Sequence, residues 1–180
     1  MRYRPVRALC LLSALVFLAA CTGPDRGRPH RERAVDRHLA GKAMQDLESD
    51  FPLRVITPAQ SYGRHELRDA MASIAEPWLH RGCLQATQGQ YEFFDLPGKT
   101  FTVTILLFPS SGEANTLFEE EEAGKSICPL LGNANRCTPD RVVFRRGPFL
   151  ARIVADARGE RWLKEAYLLA SQLDERLAVQ

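Results

Sequence analysis

Apolar side chains recur along this chain with two different periods, and the switches between them mark out its elements. Leu67, Ala70, Met71, Ile74, Ala75, Trp78 and Leu79 return at intervals of three and four, which predicts a helix over about residues 63–81 with one buried stripe. Pro77 lacks a backbone donor and disfavours helical backbone at Glu76, so a kink or a break is expected there. Upstream, Thr57-Pro58-Ala59-Gln60 carries a helix-start signature: a capping residue, proline at the first helical position, and Gln three residues after Thr57. Gly82 supplies a stop. Val35, Leu39, Ala43 and Leu47 recur every four residues and predict a helix ahead of the folded domain.

The period then changes to two. Residues 85–96, with Tyr91, Phe93 and Phe94, form the first arm of a hairpin, turned at Leu96-Pro97-Gly98-Lys99 where proline and glycine suit a type II turn. In the second arm Phe101, Val103, Ile105 and Leu107 share one face and Thr102, Thr104, Leu106 and Phe108 the other. Both faces are apolar near its end, as in a central strand covered on two sides. Ser110 and Glu113 make a capping box for a helix over residues 111–123, closed by Gly124. After a cysteine-bearing loop, residues 141–145 and 149–155 form a second hairpin turned at Arg146-Gly147-Pro148. A closing helix over residues 159–179 lines Trp162, Ala166, Leu169, Leu173 and Leu177 on one face, with Glu165, Asp174 and Arg176 on another.

This order predicts an α+β fold, an antiparallel sheet of two hairpins packed by an N-terminal helix, a middle helix and a C-terminal helix. Two halves, each with a hairpin and a helix, suggest an internal repeat. Tyr62-Gly63, the run 103–108 leading to Gly112-Glu113-Ala114-Asn115, and the run 146–152 together resemble a broad group of bacterial envelope domains with no assigned activity. That resemblance implies the same fold and brings no catalytic residues.

The amino terminus has a different logic. Arg2, Arg4 and Arg7 precede an apolar stretch over residues 8–20, too short to span a bilayer, which takes about 20 apolar residues. Leu18-Ala19-Ala20-Cys21 resembles the lipobox of bacterial lipoproteins. The resemblance implies that residues 1–20 are a cleaved signal peptide and that Cys21 is lipidated, palmitate being the test label. Thr22, in place of the Asp typical of inner-membrane retention, points to the outer membrane, facing the periplasm. Residues 21–45, rich in Gly, Pro and Arg at their start, are expected to form a flexible tether, and 46–180 a single α+β domain.

Composition then narrows the function. Of 24 Lys and Arg, three lie in residues 1–20, leaving 21 against 22 Asp and Glu, so the formal charge of +2 becomes −1. A near-neutral mature chain without an aromatic and basic stripe gives no reason to expect nucleic acid as a partner. Cys83, Cys128 and Cys137 remain for an oxidising compartment, which allows one disulfide and one thiol left over. Cys128 and Cys137 flank a turn-rich loop and are the expected pair, closing it for about 2–3 kcal/mol. Cys83 is then a small buried hydrophobe, a partner for one of the others, or a nucleophile activated by His80 three residues before it.

His30, His38 and His65 show no zinc spacing with the cysteines. The run Glu119–Glu122 is expected to be a solvated helix end, because successive helical residues point about 100° apart and cannot all face one ion. Phosphate loop, nucleophile elbow and His-Glu-x-x-His motif are all missing from the sequence, and no cofactor or metal is expected. The expected function is a membrane-anchored, non-catalytic envelope module that binds a protein partner, a peptide or a small ligand against its sheet. A thiol-dependent hydrolase using Cys83 and His80, and a structural component of an envelope assembly, are the alternatives.

Overall fold

The computed structural model describes residues 30–121 and 128–178, with side chains from His38 onward. It shows the expected α+β architecture around one fully antiparallel sheet, in the order β1-β2-β3-β6-β5-β4. The two expected hairpins are its centre: β2 (Gln85–Phe93) with β3 (Thr100–Leu107), and β5 (Arg141–Arg146) with β6 (Phe149–Ala155). Strands β3 and β6 pair with each other, Val103 opposite Ile153 and Ile105 opposite Ala151. One further strand extends each edge, β1 (Leu53–Gly63) beside β2 and β4 (Ala134–Thr138) beside β5. The chain thus folds as two three-stranded meanders joined through β3 and β6.

Alternation places the odd residues of β3 on one face, and that face carries the main core. Tyr91, Phe101, Val103, Ile105, Phe144, Phe149 and Ile153 lie there under two helices, α1 (His30–Asp50) and α5 (Glu160–Ala178). Burying an aromatic or aliphatic side chain this fully contributes about 1.5–3 kcal/mol each before entropy. Helix α1 supplies Ala40, Ala43, Met44 and Leu47, and α5 supplies Ala166, Leu169, Ala170, Leu173 and Leu177. Glu48 ties α1 to the sheet, accepting from the Ala59 amide (3.1 Å) and the Tyr91 hydroxyl (2.9 Å). Tyr91 reaches it by lying flat over Gly89, where a Cβ would meet the phenol oxygen at 2.4 Å.

Among the described residues, helices cover the opposite face at one end. Leu106, Phe108, Val143 and Leu150 pack there against α2 (Leu67–Met71), α3 (Ala75–His80) and α4 (Ser111–Glu120). Helices α4 and α5 follow the two meanders on opposite faces, so the halves share strand order without forming a true repeat.

Several expectations are corrected. The tether does not extend to residue 45, because Ala40, Ala43 and Met44 are core residues of α1. Thr57-Pro58-Ala59-Gln60 does not start a helix; it is the middle of β1, with irregular register on both sides of Thr57. Pro58 is tolerated there because an edge strand does not need its missing donor. The helix expected over 63–81 is two short ones joined by a 3-10 turn, and the break falls at Ala72 (φ +47°), ahead of Pro77. Pro77 instead sits in the first turn of α3, where an amide has no helical partner to lose.

Helix α4 ends at Glu120 rather than Ala123, with Glu121 extended (ψ 141°). Its start is capped as expected in kind: Ser110 Oγ accepts from the Gly112 amide at 3.1 Å and bonds the Glu113 carboxylate. Asp174, expected on the polar face of α5, is buried and paired with Arg146 (Nε to Oδ1, 2.6 Å). The signal stretch and Cys21 lie outside the described residues.

Candidate functional site

Beyond its helix-covered end, the second face turns from apolar to polar along β2 and β3 and at Arg152 in β6, with Val154 beyond it. Ala86 gives way to Gln88 and Gln90, Leu106 to Thr104 and Thr102, and Leu150 to Arg152. The ladder aligns these residues across the sheet: Gln88 opposite Thr104, Thr104 opposite Arg152, Arg152 opposite Val143, and Val143 opposite Arg136. Gln88 Nε2 donates to Thr104 Oγ1 at 3.0 Å. Arg141, two residues along β5 from Val143, projects from the same face.

The end of α4 borders this surface. Glu121 places Oε1 3.3 Å from Arg152 Nε and Oε2 3.3 Å from Arg141 Nη1. Arg136 holds the helix end in place, donating to the carbonyl oxygens of Glu119 (3.1 Å) and Glu121, pairing with the Glu119 carboxylate (2.6 Å), and lying over the Phe118 ring. Arg152 extends over the Trp78 ring, 5.9 Å from its centroid. Burial pushes the Arg152 pKa below the ordinary arginine value; Glu121 opposes that shift and Arg141 adds to it. The Nε atoms of Arg141, Arg145 and Arg152 are buried without a hydrogen-bond partner. At Arg152 the Glu121 oxygen is near enough for an ion pair, yet is not aligned as a hydrogen bond. Guanidinium donors at Arg141 and Arg152, beside one carboxylate among the described residues, make this half-buried surface suited to holding an oxyanion.

The residues singled out in the sequence fall elsewhere. Cys83 is fully buried among Leu67, Trp78 and Phe108, and its thiol donates to the Gln85 carbonyl at 3.2 Å. Burial pushes that thiol up to about 11, so it stays protonated near neutral pH. The His80 side chain is 82% exposed, 4.0 Å from Glu76. A thiol that is neither ionised nor open to solvent is poorly placed to act as a nucleophile, and His80 points to solvent rather than to it. Cys128 and Cys137 are joined across the loop before β4, their Cα atoms 6.4 Å apart.

The acidic run is a solvent-exposed helix end at Glu119 and Glu120, which pair with Arg136 and Arg81, and departs from that expectation at Glu121, whose largely buried side chain pairs with Arg141 and Arg152. Glu122 lies outside the described residues. His38 and His65 are exposed, and among the described residues no group of three His, Cys, Asp or Glu is placed to hold a metal ion.

The arginine recess was not read from the sequence. Its signal was a charged residue inside a strand otherwise flanked by apolar neighbours, Ala151-Arg152-Ile153, which only the register turns into a shared surface. No family model, curated protein or solved structure matches the chain.

Proposed function

We propose that this chain is a lipoprotein of the bacterial envelope, anchored through lipid on Cys21 to the outer membrane and facing the periplasm, whose domain is a non-catalytic module that binds a partner or ligand on the open half of its sheet. The observation that carries the binding reading is a polar row beside a closed apolar half, in which Gln88 and Arg152 stay partly exposed on either side of a buried Thr104 and no helix among the described residues lies across it. The buried, protonated Cys83 supports a domain that works by binding, and the Cys128–Cys137 link suits an oxidising compartment. Two acyl chains or more hold such a protein stably at a membrane, which one does not.

The test has two arms. Palmitate labelling of the expressed protein, lost in Cys21→Ser together with firm membrane association, supports the anchor; unlabelled protein that stays in the particulate fraction contradicts it. A photo-crosslinking residue at Thr102, on the open half, is expected to give one dominant product in cells. The same residue at Leu168, exposed on α5, is expected to give none. Equal products from both positions contradict the assignment of the face.

A further inference from the structure

Among the described residues, the arginines of the open half outnumber the carboxylates paired with them. Arg141 and Arg152 share one carboxylate, while Glu119 and Glu120 are taken by Arg136 and Arg81. Their cross-strand neighbours on this face, Thr104, Val143 and Val154, are uncharged, as are Gln88 and Thr102 one strand further on. Each guanidinium has five N–H donors, and Glu121 engages only one nitrogen of each. The side chains are 27% and 21% exposed, so part of each reaches solvent.

We propose that Arg141 and Arg152 form a binding site for a small carboxylate-bearing ligand, in which Glu121 is the protein's own competing occupant. Glu121 already shows the fit, one carboxylate oxygen set toward each guanidinium. A planar, two-oxygen anion matches that spacing, and Gln88 and Thr104 supply polar groups alongside for the rest of the molecule. Trp78 beneath Arg152 holds its guanidinium on the recess by cation–π contact. This inference rests on the reading of the open half as the ligand surface and names the chemistry recognised there.

The experiment is a titration of the full chain in detergent with acetate, at ionic strength held constant with chloride, followed by NMR of the arginine Nε–H groups and the tryptophan indoles. Saturable shifts are expected at Arg141, Arg152 and Trp78 and not at Trp162. Glu121→Gln removes the competitor and is expected to lower Kd about tenfold, whereas Arg141→Gln or Arg152→Gln raises it at least about tenfold. Arg158→Gln, in a side chain 80% exposed and paired with Asp140, is expected to change nothing.

Absence of saturation, an unchanged Kd in Glu121→Gln, equal weakening by Arg158→Gln, or tighter binding of inorganic phosphate each overturns the carboxylate site. Should Arg152→Gln fail to fold, Arg141→Gln and Glu121→Gln decide the matter. Failure of acetate to bind while the Thr102 crosslink persists overturns the ligand chemistry alone; loss of the crosslink's preference for Thr102 overturns the reading of the face.

Discussion

Single side chains in this molecule matter most where charge is buried. Asp174 receives Arg146 through two contacts (2.6 and 2.5 Å) and the Gly132 amide at 2.9 Å, joining α5 to β5 and to the loop before β4. Asp174→Asn leaves Arg146 without its counter-charge and is expected to lower stability by about 1–3 kcal/mol in urea unfolding; an unchanged midpoint contradicts that role. Cys83 makes a pH-dependent contribution of the opposite kind. Its folded pKa, about 11, lies above the unfolded value near 9, so the unfolded chain loses its proton first and stability falls as pH rises between them. Cys83→Ala is expected to flatten the alkaline limb of stability against pH. A thiol reagent at pH 8 is expected to label Cys83 only after denaturant is added, and rapid labelling of folded protein would restore the thiol-enzyme alternative.

Among the elements, the loop into β4 is the least tolerant. Gly132 has φ +57°, and a Cβ there would lie 2.2 Å from the Arg145 carbonyl oxygen. Gly132→Ala is therefore expected to cost at least about 2 kcal/mol in thermal or urea unfolding, whereas Pro58→Ala on the edge strand β1 stays within about 0.5 kcal/mol. The same two places show why local pattern was misleading. Thr57-Pro58-Ala59-Gln60 has good helix-start chemistry, but its pairing with residues 85–93 is a long-range fact that no local window contains. Strand β4 was hidden because Asn133 and Asn135 give it turn composition and because five residues carry little periodicity. The central hairpins and α5 were legible, since their apolar alternation or stripe is long and agrees with where each residue is buried.

At the scale of the whole molecule, the described residues make the sheet a wall packed along one side and, on the other, packed by helices at one end. Helix α1 belongs to the packed side, so Leu47→Ala is expected to cost about 2–5 kcal/mol; a cost within error would return α1 to the tether. The fold class could be read from order and period alone. The recess could not, because Gln88, Thr104, Arg152 and Arg141 are scattered over four strands and meet only through register, and Glu121 reaches them only because α4 stops at Glu120.

Complementation of a deletion strain by Arg152→Gln, read beside its thermal midpoint, tests most directly whether this uncovered half is the working surface. The expected result is a protein that still melts cooperatively, stays membrane-bound and fails to complement, while Cys83→Ser with His80→Ala complements fully. An Arg152→Gln chain that complements as well as the parent would contradict the account.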